Sequence, residues 1–130
     1  MTVEPGVRAT TSILVGDADT ASSVGSGDVP VLATPRLLAV AEAATVEAVR
    51  KHLGEGRTSV GTRVELKHLA PSPVGARVTI EAELREVDGP RLVFAFSAVD
   101  DGGTIVGSGV VHRTIVDRAR FLARLTASGQ

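Results

Sequence analysis

The chain has 130 residues, with 14 Lys or Arg against 15 Asp or Glu, so its formal net charge is −1. That length is enough for one domain with a buried core, spanning 1–130, and too short for two such domains. The balanced charge argues against a basic nucleic-acid surface, and an aromatic content of 2% argues against platforms that stack bases. The absence of cysteine excludes disulfides and thiolate metal sites, and three histidines are few for a His-rich metal site.

The first predicted element is a strand, and a long polar segment follows it. Apolar and polar residues largely alternate from Val7 to Val15, which indicates a half-buried strand. Residues 17–32 are small and polar without periodicity, and irregular segments of this length are often lids over sites. We therefore predict an irregular lid loop at 17–32, the alternative being a mobile surface loop.

The clearest predicted helix begins at Thr34-Pro35 and ends at Leu53, before Gly54. Threonine can cap a helix, proline suits the first turn, and glycine commonly follows the last one. At about 100° per residue, the polar side chains form one narrow stripe made of Arg36, Glu47, Arg50 and Lys51. The remaining surface is mostly Leu, Val and Ala, so we expect other elements to enclose this helix closely.

The chain after Gly56 is predicted to be mainly strands. Four apolar runs, alternating or continuous, predict strands at 59–68, 77–85, 92–99 and 104–116. Within the last run, Gly107-Ser108-Gly109 indicates a bulge or the close approach of a helix or ligand. Residues 118–127 are predicted to form a short C-terminal helix.

This order of elements predicts an α+β fold in which an antiparallel sheet wraps around one long central helix. Such a sheet leaves a half-open core and exposed edges, so a homodimer or higher homo-oligomer is expected. No apolar run opens the chain and none approaches transmembrane length. We therefore expect no signal peptide, no membrane partner and a cytoplasmic location.

Two polar residues of the predicted helix need an explanation. Glu42 lies about 130° from the centre of the polar stripe, so its carboxylate must be paired, protonated or facing a cavity, unless it reaches water at the helix edge. Thr34 needs no function if it is the N-cap, but a hydroxyl at a helix N-terminus also lies where developing negative charge is favoured.

His68 is the third polar residue at an apolar position. Alternation puts it on the buried face of its strand together with Val60, Thr62, Val64 and Leu66, and puts Ser59 on the other face. His68 is then either a core histidine bonded to a backbone carbonyl or a general base.

Several motifs occur together at matching spacings. They are Ala33-Thr34-Pro35, Glu42, Gly61 and Val64-Glu65-Leu66-Lys67-His68, followed by similar segments at 70–75, 82–84, 89–92 and 105–109. In these the chain resembles the fluoroacetyl-CoA thioesterase family. The resemblance implies the hot-dog fold, hydrolysis of an acyl-CoA thioester without a metal or cofactor, and a homodimer with its sites at the subunit interface.

The resemblance also implies a role for each residue. Thr34 would be the nucleophile or a water-positioning hydroxyl, and His68 the general base. Glu42 would be the acid partner or an alternative nucleophile. Gly61 would let the backbone approach the acyl group, and Arg113 would meet the phosphates of coenzyme A.

The sequence departs from the family pattern at positions that bear on the substrate. Pro35 replaces a glycine, Leu32 replaces a phenylalanine, and 22–31 lacks the aromatic residues of the family lid. These differences favour a short or medium acyl-CoA over fluoroacetyl-CoA. The alternatives are a non-catalytic acyl-CoA binding module of the same fold and, less favoured, a hot-dog dehydratase.

One geometric question stays open at this level. Eight helical residues span about 12 Å, so Thr34 and Glu42 of one straight helix cannot hydrogen-bond to each other. Either the helix begins later, or the two residues flank the substrate, or a partner subunit completes the site.

Overall fold

The computed structural model describes residues 3–128, with side chains up to Thr126, so both ends of the predicted 1–130 domain lie outside the described residues. Its strands and helices are β1 (Arg8–Leu14), α1 (Ala21–Val24), α2 (Thr34–Val49), β2 (Arg57–His68), β3 (Arg77–Asp88), β4 (Arg91–Asp100), β5 (Ile105–Asp117) and α3 (Arg118–Ser128). Within the described range, no helix is both long and apolar enough to span a bilayer.

The five strands form one antiparallel sheet in the order β1-β3-β4-β5-β2. The inner face of this sheet packs against α2, mainly through β1 and β3. The core between helix and sheet includes Leu37, Ala41, Ala44, Val49, Ile80, Leu84, Phe94 and Val111. The predicted α+β architecture, an antiparallel sheet around one long helix, is confirmed.

The ends of α2 differ from the prediction. The helix ends at Val49, and a 3₁₀ turn leads to Gly54, whose φ of +81° favours glycine. At its start, Ala33 is the N-cap in an extended conformation, and its carbonyl oxygen accepts from the N–H of Leu37. The predicted capping by Thr34 is therefore wrong: Thr34 is the first helical residue, and its hydroxyl makes no capping bond.

The side chains of β2 also differ in phase from the prediction. The register against β5 shifts between Gly61 and Arg63, which is a β-bulge at Thr62. Before the bulge, Ser59 and Gly61 face the helix side of the sheet, and after it His68 does. The placement of Ser59 on the outer face was wrong because the extra residue reverses the alternation.

Segment 17–32 is more ordered than predicted. Its first half contains a 3₁₀ turn and α1, so the prediction of an irregular loop is wrong there. Isolated bridges join Thr20 to Leu32 and Val31 to Pro73, whereas the residues between α1 and Val31 are exposed. The motion of this segment as a lid stays a prediction.

The half of the sheet around β2 is largely uncovered. Strands β3, β4 and β5 each contain buried residues, but none of the twelve residues of β2 is buried. On the neighbouring side of α2, Ala39 and Val46 are exposed, one turn to either side of Glu42. The outer edge of β2 has no strand partner among the described residues.

Candidate active site

The start of α2 and the end of β2 bring Thr34 and His68 together. Thr34 Oγ1 lies 2.7 Å from His68 Nδ1, which is a short hydrogen bond between side chains that are 34 residues apart in sequence. A hydroxyl hydrogen-bonded to an imidazole is the arrangement in which the ring can take the hydroxyl proton. Two of the three residues expected to be catalytic are thus in direct contact.

The surroundings of His68 hold its ring in the neutral form. Burial lowers the pKa of His68 from its ordinary 6.5, because desolvation disfavours the charged imidazolium. The second ring nitrogen, Nε2, is buried and has no hydrogen-bond partner in the described structure. At neutral pH the ring can therefore accept a proton, as a general base must.

A cavity of about 350 Å³ opens beside this pair, and both Thr34 and His68 form part of its wall. Its other lining residues come from segment 17–32 and from the loop after β2; they are Ala21, Ser26, Gly27, Val29, Val31, Leu32, Leu69, Ala70 and Pro71. This lining is aliphatic and small, with no aromatic side chain. A concave, mostly apolar space with a few polar groups is typical of small-molecule sites.

A second cluster lies farther along α2, around Arg113. This arginine is only 7% exposed; its Nε donates to Ser59 Oγ at 2.8 Å and its Nη2 donates to the Ser59 carbonyl oxygen at 3.0 Å. Its Nη1 lies 3.7 Å from Glu42 Oε2. Burial lowers the pKa of Arg113, and the charge of Glu42 opposes that shift.

The position of Arg113 does not fit the contact with coenzyme A phosphates that the resemblance implied. A surface group would be needed for that contact, whereas this guanidinium is buried and already bonded to Ser59 and Glu42. The sequence did not point to Ser59, because only the bulge in β2 turns it toward Arg113. Glu42, predicted to need a partner, has one in Arg113.

Gly61 provides the space that the Glu42 carboxylate occupies. A Cβ atom on Gly61 would lie 2.8 Å from Glu42 Oε2 and 3.5 Å from Arg113 Nη1. The first distance is shorter than real Cβ atoms tolerate, so glycine allows the carboxylate to lie against the β2 backbone.

The two clusters are separate in one protomer. Because α2 begins at Thr34, a later helix start is excluded, and Glu42 lies about 12 Å along the axis. No hydrogen bond or ion pair joins Glu42 to His68 in the part of the chain that the structure describes. Residues 3–128 also hold no group of three or more His, Cys, Asp or Glu side chains placed for a metal ion.

Gly107 of β5 controls how closely α2 approaches the strand that carries His68. It is the residue opposite His68 in the β2–β5 ladder. A Cβ atom there would lie 3.0 Å from Leu37 Cδ2 and 3.0 Å from the Lys67 carbonyl oxygen. Gly107 therefore marks a close approach of the helix, and the β4–β5 register also shifts beside it, at Val106, so the structure contains both features that the glycines indicated.

Comparison with known proteins leads to a family. The model of the fluoroacetyl-CoA-specific thioesterase family matches residues 15–119. The fluoroacetyl-CoA thioesterase of Streptantibioticus cattleyicolor is 38% identical over 95 residues, which cover 73% of this chain and 68% of that protein.

Solved structures agree with the family. A variant of the fluoroacetyl-CoA thioesterase FlK in complex with acetyl-CoA has a TM-score of 0.90 and 30% identity, covering 98% of this chain and 100% of that chain. A hot-dog-like protein from Thermanaerovibrio acidaminovorans has a TM-score of 0.88 and 27% identity, covering 97% of this chain and 93% of that chain. The chain thus belongs to the fluoroacetyl-CoA-specific thioesterase family and is a hot-dog enzyme that hydrolyses acyl-CoA thioesters.

Proposed function

We propose that the protein releases the free acid and coenzyme A from a short or medium acyl-CoA in the cavity beside Thr34 and His68. The observation that carries this proposal is the 2.7 Å hydrogen bond between the Thr34 hydroxyl and His68 Nδ1 at the wall of that cavity. No cofactor is needed, because a base, a hydroxyl and water suffice to hydrolyse a thioester.

In the proposed mechanism, the Thr34 hydroxyl donates to Nδ1 of His68, whose ring proton is on Nε2. Nδ1 of His68 takes the Thr34 hydroxyl proton, and the group that attacks the thioester carbonyl is Thr34 Oγ1 itself or a water that passes its own proton to Thr34 Oγ1 in the same step. The C–S bond then breaks, and the imidazolium returns its proton to the departing thiolate. If Thr34 is the nucleophile, a water molecule afterwards hydrolyses the acyl ester by the same base.

Glu42 has a different place in this mechanism from the one that its sequence spacing suggested. It is too far along α2 to orient His68 directly, so we assign its carboxylate to the opposite side of the bound thioester. Arg113 orients this carboxylate, and Gly61 lets it lie against β2. There it orients the water that attacks the carbonyl or the acyl intermediate.

The size and lining of the cavity support a short or medium acyl group. Its aliphatic walls bind methylene groups, and neither Leu32 nor Val29 offers the aromatic surface expected of a fluorine-selective lid. A relative in the same family has been solved with acetyl-CoA, which is a short acyl-CoA.

A homodimer that pairs the free edges of two β2 strands would complete this enzyme. When a two-fold axis relates the two protomers, their identical β2 edges pair antiparallel and the second protomer covers the exposed half of the sheet. In this arrangement Glu42 of each protomer lies near the axis, between the two Thr34–His68 pairs. A cytoplasmic location belongs to the same proposal, since acyl-CoA thioesters are made and consumed there.

The non-catalytic binding module has no support, because the family that the chain belongs to consists of thioesterases. The same finding argues against the dehydratase alternative.

Thiol release from a series of acyl-CoA thioesters, from acetyl to octanoyl, tests the proposal. The wild type should hydrolyse the shorter members, and His68→Ala should lower turnover by about 10²- to 10⁴-fold with little change in melting temperature. Thr34→Ala should also lose turnover, and Thr34→Ser should retain part of it. His112→Ala, on the outer face of β5, is the matched control and should keep wild-type turnover. Wild-type turnover in His68→Ala would contradict the proposed base.

A further inference from the structure

One residue, Asp19 of the 3₁₀ turn after β1, binds the chain on both sides of Thr34. The Asp19 carbonyl oxygen accepts from the N–H of Ala33, the residue before Thr34, at 2.9 Å. Its carboxylate oxygen Oδ1 accepts from Nε of Arg36, which follows Thr34 by two residues, at 2.8 Å. Asp19 therefore holds the start of α2 on either side of the hydroxyl that bonds to His68.

The start of α2 has no capping side chain of its own. Ala33 is the N-cap and makes no side-chain capping bond. Pro35 has no N–H to donate, and the Thr34 hydroxyl bonds to His68 rather than to the helix backbone. Helix ends without a capping side chain are less stable and fray more easily. The two bonds of Asp19 thus give this helix end an attachment that its own residues do not supply.

Asp19 is itself attached to the sheet. Its second carboxylate oxygen, Oδ2, accepts from the N–H of Gly16 at 2.8 Å, and its own N–H donates to the Gly16 carbonyl oxygen at 3.0 Å. The preceding residue, Val15, is 1% exposed and bonds through its backbone to Gly75 and Ala76, just before β3. Hydrogen bonds therefore connect the sheet through Asp19 to the start of α2.

Both oxygens of the Asp19 carboxylate are in use, and the group is charged. The hydrogen bond from Arg36 and the one from the Gly16 N–H hold the pKa of Asp19 below its ordinary 3.8. Its side chain is only 17% exposed, so protein donors rather than water bind most of it. The amide of an asparagine has a single acceptor oxygen and could serve only one of these two donors.

Asp19 is not among the residues that line the cavity beside Thr34 and His68, so it is not placed to contact the acyl group. We propose that Asp19 is a positioning residue whose bonds to Ala33 and Arg36 keep the Thr34 hydroxyl within hydrogen-bond reach of His68 Nδ1. Small displacements of a reacting group are costly, which gives this attachment its value. The inference rests on the proposed function, in which that hydroxyl takes part in the reaction.

The separation of kcat from KM tests the inference. Asp19→Asn should lower kcat by about 10-fold or more, because the start of α2 can then shift, and should leave KM for the acyl-CoA unchanged. Arg36→Gln should have the same effect, and Arg36→Lys, which keeps the charge, should retain part of the turnover. The Arg36 side chain is 42% exposed, so its variants should fold even if Asp19→Asn does not.

Glu83→Gln is the matched control for these variants. It makes the same change from carboxylate to amide and breaks ion pairs of Glu83 with Arg8 and Arg85 on the sheet, away from α2. It should keep wild-type kcat and KM. Wild-type kcat in Arg36→Gln and in folded Asp19→Asn would overturn the inference.

A double variant tests whether Asp19 acts through Thr34. The hydroxyl is absent in Thr34→Ala, so adding Asp19→Asn should lower the remaining turnover no further. The kcat of the double variant should therefore equal that of Thr34→Ala. If Asp19→Asn lowers kcat by the same factor with and without the hydroxyl, Asp19 acts elsewhere and the inference is wrong.

The ring signals of His68 separate failure of this inference from failure of the proposed function. The nitrogen NMR shift of His68 Nδ1 depends on the hydrogen bond that this atom accepts, whether or not a thioester is hydrolysed. In Asp19→Asn it should move toward its value in Thr34→Ala, where the bond is absent, and in Glu83→Gln it should not move. A wild-type shift in Asp19→Asn would overturn the inference even in an active enzyme. If the shift moves but Thr34→Ala keeps full turnover, Asp19 does position the hydroxyl and it is the proposed function that fails.

Discussion

His68 is a base whose protonation is governed by burial. Its pKa is lowered by desolvation, so the neutral form persists to a pH below the ordinary 6.5. We expect kcat/KM to stay constant as pH falls through 6.5 and to decline only at lower pH, where His68 becomes protonated. The pH–rate profile, with the His68 ring signals followed by NMR, measures this. An acidic limb centred above 6.5 would show that another group limits the rate.

Gly61 can be tested through the space it leaves for Glu42. In Gly61→Ala the new Cβ would meet Glu42 Oε2 at 2.8 Å, so the carboxylate must move away from β2. Turnover should fall by about 10- to 100-fold, because small displacements of a catalytic group are costly. Gly102→Ala, whose Cβ would meet Asp100 at an ordinary 3.4 Å, serves as the control. Equal turnover in the two variants would remove Gly61 from the site.

Ser59 is expected to act through Arg113 rather than on the substrate. Ser59→Ala leaves the buried Nε of Arg113 without its acceptor, which should lower the free energy of unfolding by about 1–3 kcal/mol. Turnover should fall as well, since Arg113 no longer holds Glu42, and Ser59→Thr should restore part of it. Ser12→Ala removes an exposed bond of Ser12 to Arg77 and is the matched control. Loss of stability with full turnover would limit Ser59 to a structural role.

At the scale of elements, segment 17–32 is the one expected to respond to substrate. Residues 22–30 are exposed, and Val29 among them is 51% exposed although it lines the cavity. Bound acyl-CoA should cover this surface and slow local opening. Hydrogen exchange should therefore slow at 22–30 on addition of acyl-CoA and stay unchanged in the turn at 101–103. Equal exchange with and without ligand would argue against a lid.

Strand and helix positions followed from sequence, but their finer geometry did not. Alternation of apolar residues predicted most of the strands, because a half-covered sheet imposes that pattern, and a run that is apolar on both faces predicted β4, which is central in the sheet. The bulge at Thr62 depends on how β2 pairs with β5, which no local pattern encodes, and so the inward side of Ser59 was missed. Capping statistics favoured Thr34 as N-cap, whereas the contact with His68, a residue 34 positions away, determines where its hydroxyl points.

The residues that the resemblance pointed to form two contacts between α2 and β2, one of Thr34 with His68 and one of Glu42 beside Gly61. Spacing could identify them because each motif is local in sequence. The spacing of motifs could not show whether the Arg113 side chain is buried, since a residue near the end of the last strand can face either the surface or the core. Only the pairing of Gly61 with Arg113 across the ladder shows that it faces inward.

For the whole molecule, the uncovered β2 half predicts association. None of the twelve residues of this edge strand is buried in a monomer, and we expect a second copy to cover them. Light scattering at micromolar concentration should give the mass of a dimer. Val64→Lys, which adds a charge beside that edge, should weaken the dimer and lower turnover together. A stable wild-type monomer with full activity would contradict the predicted assembly.

Gly107 has a consequence for anyone who redesigns this enzyme. Substituting it with a larger residue would push Leu37 outward, and Leu37 lies one helical turn from Thr34. We expect the Thr34–His68 hydrogen bond to lengthen although Gly107 does not line the cavity beside that pair. Variation intended to widen the acyl pocket is therefore safe at Val29 or Leu69 and harmful in the glycine-rich run of β5. A library that treats this run as inert sheet would lose turnover at Gly107 and would disrupt the sheet at Gly109, where a Cβ atom would collide with the Glu65 carbonyl oxygen.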